Sequence, residues 1–263
     1  MLPMPARHVA GAKTFLGQTL PAGQTIQQDL DGSIDIIFNH PNVGPFIATR
    51  LIRALVTSNP SPAYITAVAS RFNENGLGVR GDLTAVVKEI LMNPEARNDN
   101  PGGTFGRLRT PEQSIIGTAR AFNWGMGAAS GFNYLLVYMG ESILTAPSVF
   151  GHYSPLFRIP NSGGLFGPEF QIYSASDAVN RANFLYQKLS VYPFNPAIQP
   201  YINIAANSQA LIDAVDNALL FGRMSQTLRN AIFNSLSSMP DNNQRAINAI
   251  YLAAMSGEYL VQR

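Results

Sequence analysis

The sequence predicts an all-α fold, an irregular multi-helix bundle broken by one long irregular Pro/Gly-rich loop excursion at about 145–173. Three observations predict it. Apolar residues recur at steps of three and four through most of the 263 residues, the period of an amphipathic helix. Several of these stripes open on a hydroxyl or Asp side chain, twice followed by proline, and others stop at Asn-Gly or Asn-Pro. No segment sustains the period-two alternation with β-branched enrichment that marks a strand.

Taken in order, Ile26, Leu30, Ile34, Ile37 and Phe38 share one helix face, and Pro41 stops that helix. Phe46, Ile47, Leu51, Ile52 and Leu55 make the next stripe, ending at Thr57-Ser58-Asn59. Ser61-Pro62 starts a third helix as an N-cap with proline at the first position, where a missing N–H costs nothing. Asp82 caps a fourth, which carries Leu83, Val86, Val87, Ile90 and Leu91 as far as Asn93-Pro94. Residues 97–106 are turn formers, and Thr110-Pro111 repeats the capped start. A small, glycine-rich stretch at 125–131 precedes a more hydrophobic helix at 132–144. Prolines 147, 155, 160 and 168 then break the pattern, until helices resume near 174–190, 208–221, 225–238 and 241–256. The organisation expected is a single helical domain, 1–263, with a sub-boundary at the loop 97–109.

Composition narrows the function classes. Charged residues are only 13% of the chain, about half the usual share of roughly 25%. A net charge of +2 with no Lys/Arg run argues against nucleic-acid binding. The absence of cysteine excludes disulfides, thiolate metal sites and a cysteine nucleophile. No apolar run reaches the roughly 18 residues of a membrane span, and the amino end has no signal-peptide core.

Few constellations carry chemistry. His40 precedes Pro41 at a helix end, where an imidazole can bond the last carbonyls or face a ligand. His152 sits in the excursion near Tyr153, Arg158 and Glu169, a mixture suited to lining a pocket. Arg50 and Arg53 lie three apart on one helix, with Arg107 and Arg109 after the loop. Guanidinium groups clamp carboxylates or phosphates, and equally make helix-to-helix ion pairs. Asp29, Asp31 and Asp35 lack the EF-hand pattern and read as a solvated helix face. The histidine spacing fits no zinc helix, so no metal site is assigned. Two GGxFG segments, 102–106 and 163–167, lack the Lys-Ser/Thr ending of a phosphate loop, and no G-x-S-x-G supports a serine hydrolase.

The stretch HPNVGPFIATRLIRALVTSNPSPAYI at 40–65 and its continuation VASRFNENGLGVRGDLTAVVKEILMNPEAR resemble the bacterial domain of unknown function 1800 family. AKTFLG at 12–17, LRTP at 108–111, LTAPSVFGHYSP at 144–155, PEFQI at 168–172 and the closing YLAAMSGEYLVQR follow in family order. The resemblance implies a mostly helical, exported bacterial protein, periplasmic or extracellular, encoded beside a sulfatase- or phosphatase-like companion. Family members are longer, so the chain looks like their carboxyl-terminal half. Two departures remove carboxylates: His8-Val9 stands where relatives carry His-Asp, and Arg109-Thr110-Pro111 where they carry Arg-Glu-Pro.

The function expected is a non-catalytic binding module that contacts the companion protein or an envelope polymer. The alternative is a cell-envelope enzyme, such as a hydrolase, whose site is shared with an absent amino-terminal half. The residues named for catalysis are His152, Glu169 and Arg158; those named for binding are Arg109, His40, Arg50 and Tyr153. An enzyme requires His152, Glu169 and an arginine within hydrogen-bond reach around one cleft. A binding module requires an exposed apolar patch.

Overall fold

The computed structural model describes residues 4–98, 102–124, 136, 138–142, 144–149, 151–190 and 198–263. It is mostly helical, with two small two-stranded sheets among the described residues. The chain divides into two compact units, one of residues 1–56 and 60–101, the other of 57–59 and 102–263.

The first unit opens with a hairpin, β1 (Lys13–Phe15) and β2 (Gln18–Leu20), followed by α1 (Ile26–Asn39), α2 (Val43–Leu55), α3 (Pro62–Asn73) and α4 (Leu83–Met92). Two of the caps are those read from the sequence. Ser61 accepts from the Tyr64 N–H, and Asp82 accepts from the Thr84 and Ala85 N–H groups. Thr25 and Gln28 close a capping box at the start of α1.

Helices α2, α3 and α4 enclose the core of this unit, with Ala48, Ile52, Tyr64, Val68, Phe72, Val86 and Ile90 nearly inaccessible. Each larger apolar side chain there contributes about 1.5–3 kcal/mol. A Cβ on Gly44 would fall 2.8 Å from Asn73 Oδ1 and 3.2 Å from the Ala69 carbonyl, so only glycine lets α2 close on α3. Buried Tyr64 donates its hydroxyl to the Ile90 carbonyl at 2.5 Å, and burial pushes its phenol pKa up.

Helix α1 departs from expectation. Its spacing does predict a helix, but along its apolar stripe Leu30, Ile34 and Ile37 do not face a core, and it is Phe38, at the end, that packs on Phe72 at 5.9 Å between ring centres. Leu30, Ile34 and Ile37 are 52%, 54% and 52% exposed. The inward positions are Asp29, Gly32, Ser33 and Ile36, and Leu20 of the hairpin lies against Gly32, where a Cβ would come within 2.7 Å of it. The hairpin is a small addition to the mostly helical fold that the sequence predicts: three-residue strands are too short to show alternation.

In the second unit, β3 (Arg107–Leu108) pairs antiparallel with β4 (Val261–Gln262). Among the described residues its helices include α5 (Pro111–Ala121), α6 (Ala175–Ser190), α7 (Gln199–Ile204), α8 (Ser208–Leu219), α9 (Gln226–Ser237), α10 (Asn242–Met255) and the single turn α11 (Gly257–Leu260). Thr110 and Gln113 form the capping box of α5. Helix α10 is central: Ala246, Ala249 and Ala253 present a small-residue face, and Leu211, Val215, Ile232 and Leu236 join them in one cluster. Arg229 ties α9 to α8 by bonding Asp213 at 2.5 Å and Asp216, whose other oxygen accepts from the Met224 N–H.

The excursion stays irregular over its described part. Ile159 N–H bonds Leu165 O at 2.9 Å and Gly167 N–H bonds Phe157 O at 3.1 Å, folding it back as a narrow loop. A 3-10 turn, Pro168–Ile172, follows. The two GGxFG segments share a structural task. Thr57 exchanges hydrogen bonds with Gly106, and Asn59 with Phe166. Both segments therefore grip the strap 57–59. The glycine-rich stretch at 125–131 and Phe150 lie outside the described residues, as do 132–135, 137 and 143 of the helix read at 132–144. The described residues 138–142 and 144 are turn and irregular chain, with Gly140 and Leu144 at positive φ, so the helix read there does not reach 144.

Candidate binding groove

The His40-Pro41 corner is built by backbone bonds from His40 N–H to Ile37 O and from Val43 N–H to His40 O. Arg80 holds it from the side, donating to the carbonyls of Phe38 and His40 and to Asn73 Oδ1. Its guanidinium also stacks over the Phe38 and Phe72 rings at 5.5 and 5.1 Å. The carbonyls at this helix end are thus satisfied by Arg80, not by the imidazole. His40 Nδ1 instead accepts from the Asn42 N–H at 3.2 Å, so the neutral ring carries its proton on Nε2.

His40 lines two adjoining depressions. One, of about 300 Å³, is bounded by Leu16, Gln18, Asp35, Ile36, Asn39, His40 and Pro41. The other, of about 160 Å³, is bounded by Leu16, Ile37, His40, Asn42, Val43 and Phe46 and is almost wholly apolar. Arg50 stacks on Phe46 with its guanidinium carbon 5.2 Å from the ring centre. His40 and Arg50, both named from sequence, therefore belong to one neighbourhood through Phe46.

Leu16 shapes both depressions, and its backbone is strained. The turn Leu16-Gly17 has φ of 50° and 74°, the left-handed pair of a tight hairpin turn that favours Asn-Gly. A leucine there costs about 1–2 kcal/mol, yet its side chain is 56% exposed and fills no core. The signal legible beforehand was Leu-Gly in KTFLGQTL, apolar where the turn prefers Asn.

Elsewhere in this unit, Asp29 is the buried carboxylate. His8 Nε2 and Lys13 Nζ each reach its Oδ2 at 2.6 Å, and Lys13 also donates to the carbonyls of Val9 and Gly11. The hydrogen bonds from Lys13 and then His8 hold the Asp29 carboxyl below its usual range. Asp29, from α1, thereby ties the amino-terminal segment down.

The residues named for catalysis behave differently. Glu169 is 3% exposed and pairs with Arg107 at 3.0 Å. Burial raises its pKa, against the pull of its own backbone N–H and of Arg107. Tyr153, beside the pair, has its phenol pushed up by burial and by Glu169, while Arg107 hydrogen-bonds it and pulls the other way. Arg158 donates instead to Gly164 O at 2.8 Å and stacks over Phe166 at 4.4 Å. Among the described residues His152 makes no hydrogen bond or ion pair with Glu169 or Arg158. Arg109 packs over the Tyr259 ring at 4.3 Å. The Arg107–Glu169 pairing spans the loop and the excursion, so no local spacing could announce it. Among the described residues no group of three or more His, Asp or Glu is placed to hold a metal, and no helix is long and apolar enough to cross a membrane.

No curated protein and no solved structure matches this chain. The profile described as "Protein of unknown function (DUF1800)" matches residues 2–261, essentially the whole length. That match covers half of the chain and more, and the chain belongs to the DUF1800 family.

Proposed function

We propose that this chain is a non-catalytic binding module of an exported bacterial protein, acting through the outer face of α1 and the His40 groove beside it. One observation carries the reading. Leu30, Ile34 and Ile37 lie more than half exposed along a single helix face, continuous through Ile37 with exposed Leu16 and Phe46. Clustered exposed apolar side chains mark contact sites. The partner is the sulfatase- or phosphatase-like companion protein or an envelope polymer. The chain is read as the carboxyl-terminal half of a longer protein, which sequencing upstream of its gene would test.

The test is to mix the purified chain with the companion, and separately to sediment it with insoluble envelope polymer. Wild type should bind one of them and Ile34→Ser/Ile37→Ser should not, with both proteins melting alike. Equal retention of wild type and variant would defeat the reading.

A second reading, a cell-envelope enzyme, is favoured by Glu169 alone, whose raised pKa suits an acid. Its proximity to Arg107, and not to His152, weighs against it. Turnover of aryl sulfate or aryl phosphate esters, abolished in Glu169→Gln but not in Arg158→Ala, would support it.

A further inference from the structure

We propose that the partner segment received by α1 is an amphipathic helix of another polypeptide whose apolar stripe is bordered by Lys or Arg. The inference rests on the binding-module reading and adds the partner's chemistry.

The apolar row Leu30, Ile34, Ile37 steps by four and three, so it runs along the helix for about 10 Å, two turns. That length and spacing match the way one helix lies along another with anchors at i, i+4 and i+7. The border of the row is acidic. Asp31 and Asp35 each follow an apolar anchor by one position, about 100° further round the helix, and both are exposed. Asp31 accepts from Gln27 Nε2, whereas the Asp35 side chain makes no hydrogen bond or ion pair among the described residues. The helix IQQDLDGSIDIIFN contains no Lys, Arg or His to neutralise them. Two like charges at i, i+4 destabilise a helix slightly, and a basic residue from outside relieves that repulsion.

The same charges argue against other occupants. A second copy docked antiparallel by a two-fold axis sets the acidic edge of each helix against the acidic edge of the other, acid facing acid. An anionic lipid surface attracts basic helices, and this face is the opposite. The row ends at the corner, where Ile37, Phe46 and Leu16 form the apolar depression of about 160 Å³, large enough for one terminal side chain of the incoming helix.

The probe is a labelled synthetic peptide of about four helical turns, with leucines at helical spacing and lysines beside them. A control peptide carries glutamate for each lysine. Fluorescence anisotropy should show the lysine peptide binding wild type, about threefold to tenfold more weakly to Asp31→Asn/Asp35→Asn. Ile34→Ser should lose about tenfold or more, and added salt should weaken wild type but not the Asn variant. All variants change exposed side chains, and circular dichroism verifies that they fold. If the glutamate peptide binds as well as the lysine peptide and Ile34→Ser still loses both, the basic-partner inference is overturned while the binding face stands. If neither peptide binds and Ile34→Ser converts a dimer to monomer, a second copy is the occupant and the inference is overturned. Absence of peptide binding with a monomer unchanged by Ile34→Ser overturns the inference and the reading beneath it together.

Discussion

Asn59 and Phe166, 107 positions apart, exchange two hydrogen bonds: the Asn59 amide donates to the Phe166 carbonyl at 2.8 Å and accepts from its N–H at 2.9 Å. A side-chain amide here takes the place of a strand on the other edge of Phe166, whose first neighbour is the Arg158 segment of the same loop. Asn59→Ala leaves both backbone groups without that partner and should lower stability by about 1–3 kcal/mol. Urea unfolding measures it, and a loss below experimental error would show that solvent replaces the amide.

Arg107 and Glu169 set a larger cost. Arg107→Ala strands a buried carboxylate and should destabilise by about 3–5 kcal/mol, whereas a Met/Met replacement of the pair should be far milder. If the single and double replacements melt alike, the pair is not coupled.

Asp29 and Glu169 should give stability opposite dependences on pH. The folded Asp29 carboxyl lies below the ordinary 3.8. Its stabilisation is complete above that value and is lost as pH falls through the folded one. Glu169 is raised above 4.5 by burial, so the folded state holds its proton longer. Its cost begins as pH rises past 4.5 and is complete above the folded value. Asp29→Asn should therefore flatten the acid limb of a stability–pH curve. Glu169→Gln should improve relative to wild type as pH rises from 4.5. Parallel curves for variant and wild type would contradict the respective assignment.

Leu16→Asn should stabilise the hairpin by about 0.5–1 kcal/mol, because Asn tolerates the left-handed turn. The same change should weaken partner binding, since Leu16 walls both depressions. Stabilisation without loss of binding would remove Leu16 from the site.

Gly117 lies on α5 where a Cβ would meet the Tyr259 hydroxyl at 2.6 Å and Arg109 Nη1 at 3.3 Å. That hydroxyl donates to Ser114 O and meets Thr118 Oγ1, docking the carboxyl-terminal turn on α5. Gly117→Ala should cost about 1–3 kcal/mol through overpacking, and hydrogen exchange should rise first in 257–262.

Local chemistry was enough to place most helices. Proline after a capping Ser61 or Thr110, and Asp82 before Leu83, satisfy N–H groups within a few residues, so their effect is written in the order of the chain. The family was equally legible, because blocks such as the stretch from His40 to Ile65 keep their identity without any contact being known. What surrounds a helix was not legible. The spacing of Leu30, Ile34 and Ile37 says that they share a face, but period alone cannot say whether that face meets a core or solvent. Only the packed structure decided that α1 turns Asp29, Gly32 and Ser33 inward, that Arg80 and not His40 satisfies the corner, and that Glu169 meets Arg107 and not His152. Those outcomes depend on residues tens of positions apart competing for the same space, and such a contest is settled in three dimensions.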